Sequence, residues 1–181
     1  MPLLLAACQA SAGGSPSPTP GVAPSAEVGA FTTPCSAEQL SVSLRNGPFS
    51  EPTGQNSSTV IITNISSSGC YLFGYPVIAF VDSAGRVLPF QYQTSGDQVV
   101  TSAAPRHVDL SAHSLAYVTV NKYRCDLGEL MQASHLRMTL PGQTASFDVA
   151  MAGPSYCGPG DPGSIVHISP VEPSFSASLA Y

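Results

Sequence analysis

The chain has 181 residues, of which 6 are Lys or Arg and 11 are Asp or Glu, so the net charge is −5 and only 9% of residues are charged, against roughly a quarter in an ordinary soluble domain. Six scattered cations cannot line a run of phosphates, which excludes a nucleic-acid footprint. Sixteen glycines and 17 prolines argue against long helices, while 43% hydrophobic residues suffice for a core and exclude wholesale disorder.

In chain order, residues 1–8 come first, where Leu3, Leu4, Leu5, Ala6 and Ala7 lead into Cys8. The string LLLAAC resembles the lipobox of bacterial lipoproteins, with small residues directly before a cysteine that takes a diacylglyceryl thioether. The charged start and most of the apolar stretch of a full signal are missing, so residues 1–8 read as a truncated signal with Cys8 as the lipidation site. Residues 9–34 are Ser, Ala, Gly, Thr and Pro with almost no bulky apolar side chain. Such a segment cannot offset the entropy of ordering and is expected to be a disordered linker, its ends ~28 Å apart as a flexible coil.

From Cys35 the texture becomes short runs rich in Val, Ile, Thr, Tyr and Phe, separated by Gly, Pro, Ser and Asn, which is strand and turn punctuation. Strands are predicted near residues 39–44, 59–64, 77–82, 87–92, 106–110, 114–122, 135–140, 145–150 and 165–169. Leu40, Val42 and Leu44 alternate with Ser41, Ser43 and Arg45, as on a half-buried antiparallel strand. The strand at 114–122 carries apolar residues in both alternating sets, so it is expected to be covered on both faces. Asp82 to Gly85 and Pro141–Gly142 read as tight turns. Helix is least improbable at 125–134, where Leu127, Leu130 and Met131 have helical spacing. Together these predict an all-β, immunoglobulin-like antiparallel sandwich of about eight or nine short strands, spanning residues 35–171, with a C-terminal tail at 172–181.

Five cysteines leave Cys8 over once Cys35, Cys70, Cys125 and Cys157 pair. Four cysteines allow three pairings. The preferred sequential one, Cys35 with Cys70 and Cys125 with Cys157, closes loops of ~35 residues, each worth about 4 kcal/mol in the chain-entropy model. A four-thiolate zinc site would instead call for closely spaced pairs, which these cysteines do not form.

Chemistry-bearing residues are sparse. His107, Asp109 and His113 form one local cluster, but His113 falls beyond the strand end; His135 and His167 stand apart, and no metal or other cofactor is expected. No G-x-S-x-G nucleophile elbow occurs, and Asp82, Asp97, Asp109, Asp126, Glu129, Asp148 and Asp161 read as turn or strand-edge residues rather than a facing carboxylate pair. Tyr71, Phe73, Tyr75, Phe80, Phe90 and Tyr92 are the densest local supply of contact area. Tyr71, Phe73 and Tyr75 form a candidate binding patch for a glycan, peptide or lipid, against the alternative that most of these rings fill the core.

The stretch TNISSSGCYLFGYPVIAFVDSAGRVL, with VDLSAHSLAYVTVNKYRC, LRMTLPGQ, Cys157 and IVHISPV, resembles the DUF4232 family of actinobacterial secreted proteins and lipoproteins. The matching positions include Asn64, Cys70, Leu72, Gly74, Tyr75 and Pro76; Ala112 and His113 stand where the family usually places Gly. The resemblance implies a secreted β-sandwich with two disulfides and no defined reaction. The expected function is therefore a non-enzymatic, lipid-anchored domain on the extracytoplasmic face of the cell membrane, binding an envelope protein or glycan. A small-ligand or metal carrier is the alternative, and an envelope hydrolase a weaker one.

Overall fold

The computed structural model describes residues 30–50, 55–123, 130–151, 155–157 and 165–181. Among these the secondary structure is β throughout, apart from single 3-10 turns at Ala37–Gln39 and Ser176–Ser178. The strands are β1 (Leu40–Ser50), β2 (Gln55–Asn64), β3 (Cys70–Phe73), β4 (Val77–Val81), β5 (Gln91–Gln93), β6 (His107–Leu110), β7 (Leu115–Tyr123), β8 (Leu130–Gln132), β9 (His135–Thr139), β10 (Ser146–Ala150), β11 (Ser155–Cys157) and β12 (Ile165–Ile168).

The largest sheet has the order β1-β2-β7-β12-β5, and a second has the order β10-β9-β4. Two short pairs, β3-β6 and β8-β11, complete the pairing. The core draws on both larger sheets: Val60, Ile62, Ala116, Val118, Val120 and Val166 from the first, Ile78, Phe80, Leu136 and Met138 from the second, with Leu72, Val108 and Leu110 from β3-β6. Alternation along β1 is as expected, with Leu40 buried and Ser41, Ser43 and Arg45 exposed. The later half of β7 is buried at every position from Val118 to Lys122, the two-sided covering that its mixed composition predicts.

The turns follow their local chemistry. Asp82 Oδ1 accepts the N–H groups of Ala84 and Arg86, and Gly85 takes the left-handed φ of +81° that this turn needs. Gly142 does the same at φ +74° after Pro141.

Three expectations are corrected. The sheet is mixed rather than antiparallel, because β5 runs parallel to β12. The strand expected at 87–92 is broken: Val87 makes one isolated bridge to Val81, and Pro89, which has no N–H to donate, separates it from β5. Within the expected helix, Leu130–Gln132 is a strand paired with β11; two turns of helix are marginal by themselves, and strand pairing overrides the spacing. The Cys35–Cys70 disulfide is formed, closing the first expected loop; Cys125 and the Cys157 side chain, like Cys8, lie outside the described residues, and the second expected disulfide with them.

The two ends of the domain also extend past the expected boundaries. Residues 30–34, assigned to the linker, lie against β3. At the other end, Glu172 makes a bridge to Tyr117, and Leu179 makes one to Val100 and is buried.

Candidate functional site

The β3-β6 pair presents one face inward and one outward. Cys70, Leu72, Val108 and Leu110 are buried, while Tyr71, Phe73, His107 and Asp109 alternate with them and point out. Cross-strand register sets Tyr71 opposite Asp109 and Phe73 opposite His107. The diagonal pair, Tyr71 and His107, stacks with ring centroids 4.2 Å apart. Phe73 is 56% exposed, a large ring held on a strand and left in water.

The aromatic group thus divides. Tyr71 and Phe73 belong to this outer face, and Tyr75 is half-buried with its hydroxyl donating to the Ala103 carbonyl at 3.4 Å. Phe80 and Phe90 meet edge to face in the core at 6.0 Å, and Tyr92 places its hydroxyl to accept the Phe80 N–H at 2.9 Å. Burial pushes the Tyr92 phenol up from its ordinary value.

Asp109 anchors the outer face. Its Oδ2 accepts the N–H of Ala30 at 2.7 Å and its Oδ1 the N–H of Phe31 at 3.0 Å, with His107 Nε2 at 3.1 Å from the same Oδ1. Those backbone donors, Ala30 first, and then His107, hold the carboxyl below the usual range. His113 does not join this pair; it sits in the turn before β7, with a left-handed φ of +62°, its N–H donating to the Asn64 carbonyl. His135 Nδ1 lies 3.1 Å from Ser134 Oγ and His167 Nδ1 3.0 Å from the Ser95 carbonyl. Among the described residues no three His, Cys, Asp or Glu side chains gather where a metal could be held.

The carboxylates serve as turn and pairing groups. Asp82 binds Arg86, Asp148 receives Arg137 through two bonds, and Asp97 caps the N–H groups of Val99 and Val100. Asp126, Glu129 and Asp161 lie outside the described residues. A separate cavity of about 430 Å³ is lined by Asp82, Arg86, Val87, Leu88, Pro89, Met131 and Gln132.

Among the buried polar groups, Glu172, Lys122 and Asn121 are not singled out by the sequence. Glu172, 1% exposed on its side chain, receives both Nε and a terminal nitrogen of Arg106 on Oε2, at 2.9 and 2.7 Å. Burial raises its pKa and Arg106 opposes the rise. Lys122 is wholly buried on the core face with its ammonium 4.5 Å from the Phe90 ring centre. Asn121 donates to Gln55 Oε1 at 2.5 Å and Asp97 Oδ2 at 2.7 Å, and its own Oδ1 has no partner among the described residues. Asn64 is fully buried; its amide donates to the carbonyls of Ser68, Leu110 and Ser111, and its oxygen accepts from Ser66. That amide ties the loop before Cys70 to the turn before β7.

Residues 35–172 match the model of a family described as Domain of unknown function (DUF4232). Among curated proteins, none matches the chain.

Proposed function

The chain belongs to the DUF4232 family, and from that premise we propose that it is a non-enzymatic, lipid-anchored domain of the cell envelope, an immunoglobulin-like sandwich closed by a second disulfide between Cys125 and Cys157. Cys8 carries the lipid, the segment after it gives reach on the extracytoplasmic side, and the outer face of β3-β6 binds a protein or glycan of the envelope. The observation that supports this reading is the outward row of Tyr71 and Phe73, two large rings on a short rigid sheet beside the Cys35–Cys70 disulfide. Rigid rings of this kind supply contact area at low entropic cost.

The test is photocrosslinking from position 73 in intact cells, followed by identification of the captured molecule. A discrete product that disappears with Tyr71→Ser supports the reading; no product, or one indifferent to Tyr71, removes the face from consideration. Anchoring is tested separately by mass spectrometry of the peptide beginning at Cys8, where an unmodified thiol would overturn it.

A second reading, a carrier of a small ligand, is favoured by the cavity between the Asp82–Arg86 turn and β8, whose size falls within the ordinary range for small-molecule sites. Val87, which lines that cavity and is exposed, is the position to block: with Val87→Trp, an unchanged small-molecule content in the purified protein would exclude this reading.

A further inference from the structure

The chain enters the domain through residues 30–35, and that entry has the form of an added strand. The Tyr71 N–H donates to the Thr33 carbonyl at 3.0 Å, the Cys35 N–H donates to the Tyr71 carbonyl at 2.9 Å, and Pro34 bridges Tyr71 in parallel. One step earlier the Phe31 ring lies on Gly69, where a Cβ would come within 2.2 Å of the ring carbons. The next two donors, the N–H groups of Ala30 and Phe31, are both taken by Asp109.

Three features therefore converge: an open edge of β3, a spot without a side chain that accepts a ring, and a carboxylate that caps two successive N–H groups. The geometry points to a strand-addition groove on β3, filled here by the chain's own residues 30–34. Its partner in trans is an extended peptide of the same chemistry, with an aromatic side chain over Gly69, free N–H groups on that residue and the one before it, and extended backbone running parallel to β3 after them. Recognition of this kind takes its affinity from main-chain bonds and its specificity from one side-chain pocket.

The occupying strap is suited to release. Ala30, Thr32, Thr33 and Pro34 are exposed and only Phe31 is half-buried. Its few hydrogen bonds are each modest in net effect, and ordering five residues works against them, so the strap belongs with the segments that open locally. Opening stops at Cys35, which Cys70 holds covalently, and leaves the sheets intact. This inference does not depend on what the Tyr71–Phe73 face binds.

Phe31→Pro in the full chain removes both the ring and one N–H that Asp109 takes, and the probe is a fluorescent peptide of residues 28–34, Val-Gly-Ala-Phe-Thr-Thr-Pro. The variant is expected to bind the peptide roughly tenfold or more tightly than the unaltered chain, whose own strap competes at high effective concentration. Adding Gly69→Ala should abolish that binding, and a peptide with Ala in place of Phe should not bind. Equal binding by variant and unaltered chain, or binding indifferent to the ring, overturns the proposal. Amide exchange gives a second readout: protection of the Tyr71 N–H should fall in Phe31→Pro, and unchanged protection would show that the strap does not release. Phe31→Ala, which keeps the N–H, repeats both measurements should the proline variant fail to form the Cys35–Cys70 disulfide.

Discussion

Two faces of this domain carry polar residues opposite the core, and they are treated differently. On the outer face of the β2-β7-β12 region, Ser57, Thr59, Thr119, Asn121 and Ser169 are all buried, because the segment from Asp97 to Thr101 and the C-terminal residues lie over them. Their bonds are made within the chain: Thr119 with Ser178 at 2.7 Å, Asn121 with Asp97, Ser169 Oγ with the Thr119 N–H. On β3-β6 the outer face is covered only at Asp109, by residues 30 and 31, and carries rings, with Phe73 exposed. Polar residues under a cover must be paired and are placed for stability; rings without a cover add little to stability and are placed for contact.

That contrast can be broken most severely at its covalent end. Replacing Cys35 or Cys70 by Ser should cost about 2–5 kcal/mol in chemical denaturation. The same loss from Cys125→Ser or Cys157→Ser would establish the second disulfide, and an unchanged midpoint would refute it. Under the cover, Asp97→Ala removes the acceptor of three N–H donors, two of them backbone, and should cost about 2–4 kcal/mol. A loss below about 0.5 kcal/mol would mean that water replaces it.

Arg106→Ala leaves Glu172 buried without its partner, and should cost about 1–3 kcal/mol at pH 7, discounted because the arginine is half exposed. The sign with pH is specific. Glu172 already titrates above its ordinary value in the folded protein, so its ionised form is disfavoured by folding. Its contribution worsens as pH rises from the unfolded value through the folded one, and losing Arg106 steepens that trend. The variant should therefore be closer to the unaltered protein near pH 4 than at pH 7; the reverse order would refute the buried pair.

On the open face, Phe73→Ser should change stability by no more than about 0.5 kcal/mol, as expected for a ring that packs little. A larger loss would make the face structural. An effect of opposite sign belongs to His113→Gly, which relieves a left-handed φ and should stabilise by about 0.5 kcal/mol after the extra flexibility of unfolded glycine is counted.

Much of the fold was legible because strand burial writes itself as alternation. Leu40–Val42–Leu44 and the doubly apolar stretch of β7 were readable for that reason, and the tight turns at Asp82 and Gly142 carried their own chemistry. What failed was non-local. Nothing around Gln91 announces a parallel partner at Ile165, and Leu130–Met131 has a helical spacing that pairing with β11 overrides. The site divided on similar lines. The alternation within Cys70–Phe73 implies which rings face out, given that Cys70 is inside, whereas Phe80, Phe90 and Tyr92 could not be separated from them without knowing which face each strand buries. Glu172 was opaque because its partner comes from 66 residues away. Residue 113, where Gly was expected, proved informative, since the departure falls on a left-handed backbone.

The Cys35–Cys70 disulfide also has a mechanical consequence. Tension applied to the chain from its N-terminal side reaches the domain first at residues 30–34, whose few bonds yield before any sheet is loaded. At Cys35 the load passes through sulfur directly to the start of β3. The 35-residue loop closed by that bond, with β1 and β2 inside it, stays off the force path and cannot be unravelled by the pull. The strap is the sacrificial element and the disulfide the stop.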